Sequence, residues 1–252
     1  MNSNRKSVIS HGGAKKARIL VADDHPLVRA GLKQLIGSQA DLELVGEADS
    51  LLSAQKILSA RKPRLVTVDI RMRCWEGMEL LKLIKTQHPD LLTLVISQCD
   101  ETLYGDRSLK AGASGYVTKE ADTDVVLDAI RTVLAGGIYV SPKIAALALN
   151  NPRPARLAGI PPSVESLTDR ELQMAQLFGA GLGTRQIAAR LFLSVKTVET
   201  HRENIKRKLK LAGAAELVRF ATDWVNGQSS HHFPDAAWTS QGVQGNQAFK
   251  RA

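Results

Sequence analysis

The sequence predicts an α/β chain: a doubly wound parallel sheet of five strands, then a small all-α domain. Three observations carry this reading. Short apolar runs alternate with helix-periodic stretches from residue 18 to residue 136, the order that builds successive βα units. The stretch "NPRPARLAGIPPS" then brings four prolines and no periodicity, as an interdomain linker does. From Thr168 to Trp224 the apolar spacing is helical throughout.

Taken in order, "RILVA" (18–22) is the first strand. Pro26 sits where a first helical turn begins, and "LVRAGLKQLI" follows with apolar residues three and four apart. "LELVGEA" (42–48) and the helical "LLSAQKILSAR" come next, then the buried-type strand "RLVTVDI" (64–70) and the helix "GMELLKLIKTQH". "LLTLVISQ" (91–98) precedes the helix "ETLYGDRSLKAG", which Gly112 should stop. "SGYVT" (114–118) closes the sheet and "TDVVLDAIRTVLAGG" is its last helix. "GIYVSPKIAALALN" is expected to form a short helix. The organisation predicted is a disordered N-terminus over 1–16, a sheet domain over 17–136, a linker over 137–163, a helical domain over 164–226 and a disordered tail over 227–252.

Composition narrows the function. The formal net charge is +9, which favours an anionic partner, nucleic acid or an anionic membrane surface. The excess is uneven: residues 1–145 hold 20 Lys and Arg against 17 Asp and Glu, residues 146–252 hold 14 against 8. The C-terminal part is thus the more basic. No apolar run approaches the ~18 residues a membrane span needs, and "MNSNRKSVISHGGAKK" lacks the apolar core of a signal peptide. Two cysteines, Cys74 and Cys99, build neither a disulfide framework nor a four-cysteine zinc site. A reduced, cytoplasmic protein with no membrane contact is expected.

Ligands of a doubly wound sheet gather at the carboxyl ends of its strands. There the first strand ends in Asp23-Asp24 and the third in Asp69. Converging carboxylates repel unless a hard cation neutralises them, and Mg²⁺ suits oxygen donors. Ser97 ends the fourth strand, and Lys119 follows the fifth, three residues after Tyr116. Three acids, a hydroxyl and an ammonium form a set that can receive a phosphoryl group on an aspartate. Taken singly, each is an ordinary turn, cap or core residue; their order, each at a strand end, makes the case.

"ILVADDHPLVRAGL", "VDIRM…G", "LVISQ" and "AGASGYVTKEA" together resemble the receiver domain of two-component response regulators over about residues 17–136. The resemblance implies that a sensor histidine kinase phosphorylates Asp69. It implies Mg²⁺ bound by Asp24, by Asp23 and by the backbone carbonyl of Arg71 beside Asp69. Ser97 and Tyr116 would be the switch pair and Lys119 the phosphate-binding lysine. One departure stands out. The family has Pro, often Pro-Gly, soon after the phosphorylated aspartate, whereas this loop reads "DIRMRCWEG", with Arg73, Cys74 and Trp75. A regulator independent of phosphorylation is the alternative this loop suggests, and Cys74 as a redox sensor is another. An Mg²⁺-dependent phosphohydrolase of the haloacid dehalogenase type would carry Asp-x-Asp, but Asp69-Ile70-Arg71 lacks the second acid. No G-x-G-x-x-G follows strand one, so a nicotinamide sheet fits poorly.

In the helical domain, "SLTDRELQMAQLFGAGL" opens on Thr168-x-x-Glu171, a capping box. Leu172, Ala175, Leu177 and Phe178 supply its apolar stripe. A helix from about Thr184 to Leu191, a turn at 192–194 and a longer helix from Val195 form a helix-turn-helix, with small Ala188 at the crossing and Ser194 as cap. "LTDRELQ", "GLGTRQIAARLFLSVKTVETHRENIKRKL" and "AELVRFA" resemble the LuxR-type DNA-binding domain of NarL/FixJ regulators over about 164–224. The resemblance implies double-stranded DNA as partner and a homodimer in the active state, formed through the last helix.

At 100° per residue, Val198, Ile205 and Leu209 share the core face of the second helix, and Lys196, Thr200, Glu203 and Arg207 lie opposite, with Glu199 and Lys210 flanking. The expected DNA-facing set adds Thr197, Arg202 and Lys206 from this helix, and Thr184 and Arg185 from the one before. Glu203 stands in the favourable i,i+4 order with Arg207 and near Lys206. His201, at the core margin, is expected to pack or to touch phosphate, since no second ligand stands at metal spacing.

Overall fold

The computed structural model describes residues 16–145 and 164–228. They belong to two compact units that divide between Glu165 and Ser166. The disorder expected at both termini, and the proline-rich stretch of the expected linker, lie outside the described residues, apart from the ends of those segments.

In the first unit β1 (Ala17–Ala22), β2 (Leu42–Ala48), β3 (Leu65–Val68), β4 (Leu92–Ser97) and β5 (Gly115–Thr118) form one sheet ordered β2-β1-β3-β4-β5. Every pairing is parallel. The chain therefore reverses its winding between β1 and β3, which opens the crevice at their carboxyl ends. Five helices join the strands: α1 (Pro26–Gly37), α2 (Leu51–Arg61), α3 (Met72–Gln87), α4 (Glu101–Ala111) and α5 (Thr123–Leu134). Leu32 and Ile36 of α1 and Val126, Ile130 and Val133 of α5 close over Ile19, Leu65, Leu94 and Val117 on one face of the sheet. The remaining helices, with α3 between α2 and α4, lie against the other. Gly112 takes φ of 112° and ends α4 as expected.

Three boundaries differ from the periodicity. β3 stops pairing at Val68, so Asp69 leaves the sheet as the turn begins. α5 ends at Leu134, because Gly136 turns left-handed at φ 86°. α3 starts at Met72, five residues before the expected Gly77. Its first turn holds Arg73 and Trp75 at positive φ, a backbone that no apolar spacing reports. Past α5, Tyr139 returns to the sheet edge. Its carbonyl accepts from Tyr116 N–H at 2.9 Å and its N–H donates to Ser114 O at 3.0 Å.

The second unit holds α6 (Asp169–Gly179), α7 (Thr184–Arg190), α8 (Val195–Leu209) and α9 (Ala214–Gln228). The capping box forms as read: Thr168 N–H donates to Glu171 Oε2 at 2.8 Å and Thr168 Oγ1 accepts from Glu171 N–H at 3.3 Å. Ser194 Oγ accepts from Thr197 N–H at 3.0 Å and starts α8. Leu172, Ala175, Phe178, Ala188, Val198, Ile205 and Leu209 are buried. Glu171 is buried too. That desolvation would raise its carboxyl, but bonds from Lys208 Nζ (2.6 Å) and Thr168 outweigh it and leave the carboxyl lowered.

Candidate functional site

The register pairs Ala22 with Val68, so the residues after β1 and β3 emerge side by side. Asp23 and Asp69 are each only 2% exposed, and Asp24 is half-buried. Two buried carboxylates in contact range need a counter-ion, and Lys119 supplies it from the end of β5. Its Nζ is 2.7 Å from Asp23 Oδ2 and 2.8 Å from Asp69 Oδ2. Asp69 Oδ1 accepts from Ser97 Oγ at 2.7 Å and from Arg71 N–H at 3.3 Å. The structure thus brings Asp23, Asp24, Asp69, Arg71, Ser97 and Lys119 to one edge.

Tyr116 does not reach the carboxylates. Its ring is buried and its hydroxyl donates to the Cys99 carbonyl at 2.7 Å. Cys99 N–H in turn lies 3.4 Å from Ser97 Oγ. A hydrogen-bonded chain therefore runs from Asp69 through Ser97 and Cys99 to Tyr116, and the aromatic ring already points inward. Burial raises the Tyr116 hydroxyl and pushes the Cys99 thiol up to about 12, so neither carries charge at neutral pH. The Cys74 side chain lies outside what is described.

α3 packs closely here. A Cβ on Gly77 would stand 2.0 Å from the Asp69 carbonyl oxygen. Only glycine admits this approach, which fixes the backbone of Asp69 against the helix.

Two contributors escaped the sequence reading. His25 Nδ1 lies 3.0 Å from Asp24 Oδ1, 3.2 Å from Asp23 Oδ1 and 3.7 Å from Asp69 Oδ2. Its place directly after Asp23-Asp24 was the available signal. Arg29, one turn into α1, donates to the Asp23 carbonyl at 2.7 Å. Ligand atoms of Asp23, Asp24, His25 and Asp69 lie within 4.8 Å of one another and could hold a metal ion. Asp24 Oδ1 is buried and meets only the His25 ring nitrogen among the described residues, and three carboxylates match the oxygen preference of a hard cation.

Burial, and then the Asp69 charge, raise the Asp23 carboxyl against the pull of Lys119. A raised acid binds its proton more readily folded than unfolded. Its stabilising contribution is therefore present at low pH and is lost as pH rises through the folded value. In the presence of a chelator, protection of β1 amides from hydrogen exchange is expected to increase as pH drops from neutral toward that value. Asp23→Asn should remove this component; an unchanged profile in that variant contradicts it.

In the second unit, Lys196, Glu199, Thr200, Glu203 and Arg207 are exposed on α8, and Arg185 is exposed on α7. Thr197 and Thr184 are half-buried and internally engaged. Thr197 Oγ1 is 2.8 Å from Ser194 Oγ, and Thr184 Oγ1 is 3.4 Å from Arg202 Nη1. The expected Glu203–Arg207 pair does not form. Glu203 pairs instead with Lys206 at 2.7 Å and with Arg202 at 3.8 Å. Arg207 donates to Asn204 Oδ1 at 2.9 Å. Among the described residues nothing pairs with the Glu199 carboxylate. His201 Nδ1 is buried and unpaired.

Comparison with known proteins agrees with both units. The response regulator receiver domain matches residues 19–131, and the luxR family of bacterial regulatory proteins matches residues 165–221. The chain is 35% identical to the response regulator GacA of Pseudomonas aeruginosa over 205 residues, 81% of this chain and 94% of that one. It is 33% identical to the oxygen regulatory protein NreC of Staphylococcus carnosus over 210 residues, 81% of this chain and 96% of that one. Its fold resembles RcsB of Salmonella enterica serovar Typhimurium, solved bound to promoter rprA with phosphomimetic BeF3⁻, at TM-score 0.61 and 20% identity over 82% of this chain and 99% of that one. With a receiver followed by a LuxR-type helix-turn-helix, the chain belongs to the NarL/FixJ family of response regulators.

Proposed function

We propose that this regulator accepts a phosphoryl group on Asp69 from a sensor histidine kinase, and that the modification controls dimerisation and binding to double-stranded DNA. The observation that carries the proposal is the Asp69 carboxylate itself, with Ser97 on one oxygen and Lys119 on the other. An Asp69 oxygen attacks phosphorus, the P–N bond of the kinase's phosphohistidine breaks, and the imidazole leaves. The added charge is about −1.5 to −2. Lys119 and Ser97 stand where that charge arrives. Mg²⁺ is the cation proposed, on Asp23, Asp24, Asp69 and the Arg71 carbonyl, where it would neutralise the carboxylates and offset the phosphoryl charge. Because Ser97 is linked through Cys99 to Tyr116, a shift of the Ser97 hydroxyl toward phosphate loosens or tightens the hold on that ring.

The DNA-facing residues proposed are Lys196, Thr200, Arg202, Lys206 and Arg207 for affinity, with Thr184, Arg185 and Thr197 at the helix starts. A response regulator without enzymatic turnover, acting in the cytoplasm, is the consistent reading. No described helix is long and apolar enough to cross a membrane.

Incubation with Mg²⁺ and a small phosphodonor tests the first step by intact mass. The chain is expected to gain one phosphoryl group and Asp69→Asn none. No adduct, or an adduct that survives Asp69→Asn, overturns the assignment. Sustained turnover of free phosphoesters would favour a phosphohydrolase.

A further inference from the structure

The first turn of α3, just after β3, departs from the receiver pattern, and it is strained. Arg73 and Trp75 take φ of 29° and 72°, values that non-glycine residues keep only where their surroundings enforce them. Both are pinned. Trp75 lies against Tyr104 of α4, ring centroids 5.3 Å apart. Arg73 Nε donates to the Asp49 carbonyl at 3.0 Å and its Nη2 to Asp49 Oδ2 at 2.7 Å. Asp49 follows β2, whose Ala48 is paired with Ala22, so this anchor stands beside the acidic edge.

Held in this way, the Arg73 backbone N–H donates to Asp24 Oδ2 at 2.9 Å. Proline, the residue the family pattern leads one to expect here, has no N–H to offer. The bond takes Asp24 Oδ2 and leaves the buried Oδ1 facing the His25 ring nitrogen at 3.0 Å. The Arg73–Asp49 pair is itself 56% and 44% exposed. Exposed pairs add little to stability, so its consequence is directional.

We propose that Arg73 is a positioning residue of the cation site: the grip of its guanidinium on Asp49 places its main-chain N–H, which orients the Asp24 carboxylate toward the cation. The proposal rests on the reading of Asp24 as a Mg²⁺ ligand. Partners that orient a ligating side chain commonly change metal affinity by about 10- to 100-fold.

Calorimetric titration of Mg²⁺ into the full chain tests it. Arg73→Ala, which keeps the N–H but loses the anchor, is expected to bind more weakly by at least about threefold, and Arg73→Pro more weakly still, by about tenfold. Arg73→Lys, which can still reach Asp49, should restore most of the affinity. The deficit in phosphoryl uptake by Arg73→Ala should shrink as Mg²⁺ rises, since Arg73 touches no reacting atom. Arg73→Pro also forces φ away from 29°, so Arg73→Ala decides the matter. Affinity in Arg73→Ala equal to the parent's overturns the proposal. A parent that binds no Mg²⁺ at all would instead remove the cation reading beneath it.

Discussion

Lys119→Met is expected to destabilise the receiver by about 3–5 kcal/mol, the usual cost of leaving buried charge without its partner. Both carboxylates that Lys119 joins are 2% exposed, and Lys119 itself is 5% exposed. Without the ammonium, Asp23 and Asp69 face each other with the half-exposed His25 imidazole beside them and the Arg29 guanidinium held on the Asp23 carbonyl. Hydrogen exchange of β1 and β3 amides would measure the loss in that unit alone. Mg²⁺ should recover part of it, about 2.7 kcal/mol at a hundred times its dissociation constant. Phosphoryl uptake should fall as well, because the same ammonium faces the incoming charge. Exchange rates equal to the parent's would show that Lys119 is not the counter-ion these distances describe.

Glu199→Ala is expected to relax DNA sequence preference by about 1–3 kcal/mol at one base position, the discrimination that one good base contact supplies. Two acids on a basic helix look equivalent in sequence, and the structure separates them. Glu203 is occupied by Lys206 and Arg202, so it orders cations that can meet phosphate. Glu199 is exposed near the start of α8 with its carboxylate unpaired among the described residues. Such a group can accept from a cytosine amino group and repels acceptor edges. Non-specific binding should be unchanged or stronger in the variant, since a negative charge has left the surface. Binding to a panel of single-base operator variants would read both effects. Unaltered discrimination would make Glu199 a solvated helix charge and nothing more.

Much of this architecture is legible from local pattern. The acids after β1 and β3, Ser97 at the end of β4 and Lys119 after β5 follow from strand ends alone, because a parallel register brings those ends to one edge. The capping box at Thr168 and the core face of Val198, Ile205 and Leu209 are equally local. What escaped depends on contacts between distant residues or on backbone geometry. Arg73, in the first turn of α3, meets Asp49 after β2, and the early start of α3 includes positive φ at Arg73 and Trp75, which periodicity does not encode. The partner of Glu203 depends on side-chain reach, where i+3 and i+4 compete closely and Asn204 takes Arg207 away. His25 needed only its neighbours, but an imidazole beside two acids reads as a helix-start residue until its distances are known.

On this reading a phosphoryl group on Asp69 governs how α8 meets DNA. The most direct measurement starts from DNA sites selected out of a random pool by the phosphorylated chain, then compares affinity on one such site before and after stoichiometric phosphorylation at fixed salt. The phosphorylated chain is expected to bind about 5- to 150-fold more tightly, the range of ordinary coupling between two sites, with Asp69→Asn held at the unphosphorylated value. Equal affinity of the phosphorylated and unphosphorylated chains would contradict the claim and leave a regulator whose receiver does not control its DNA-binding domain.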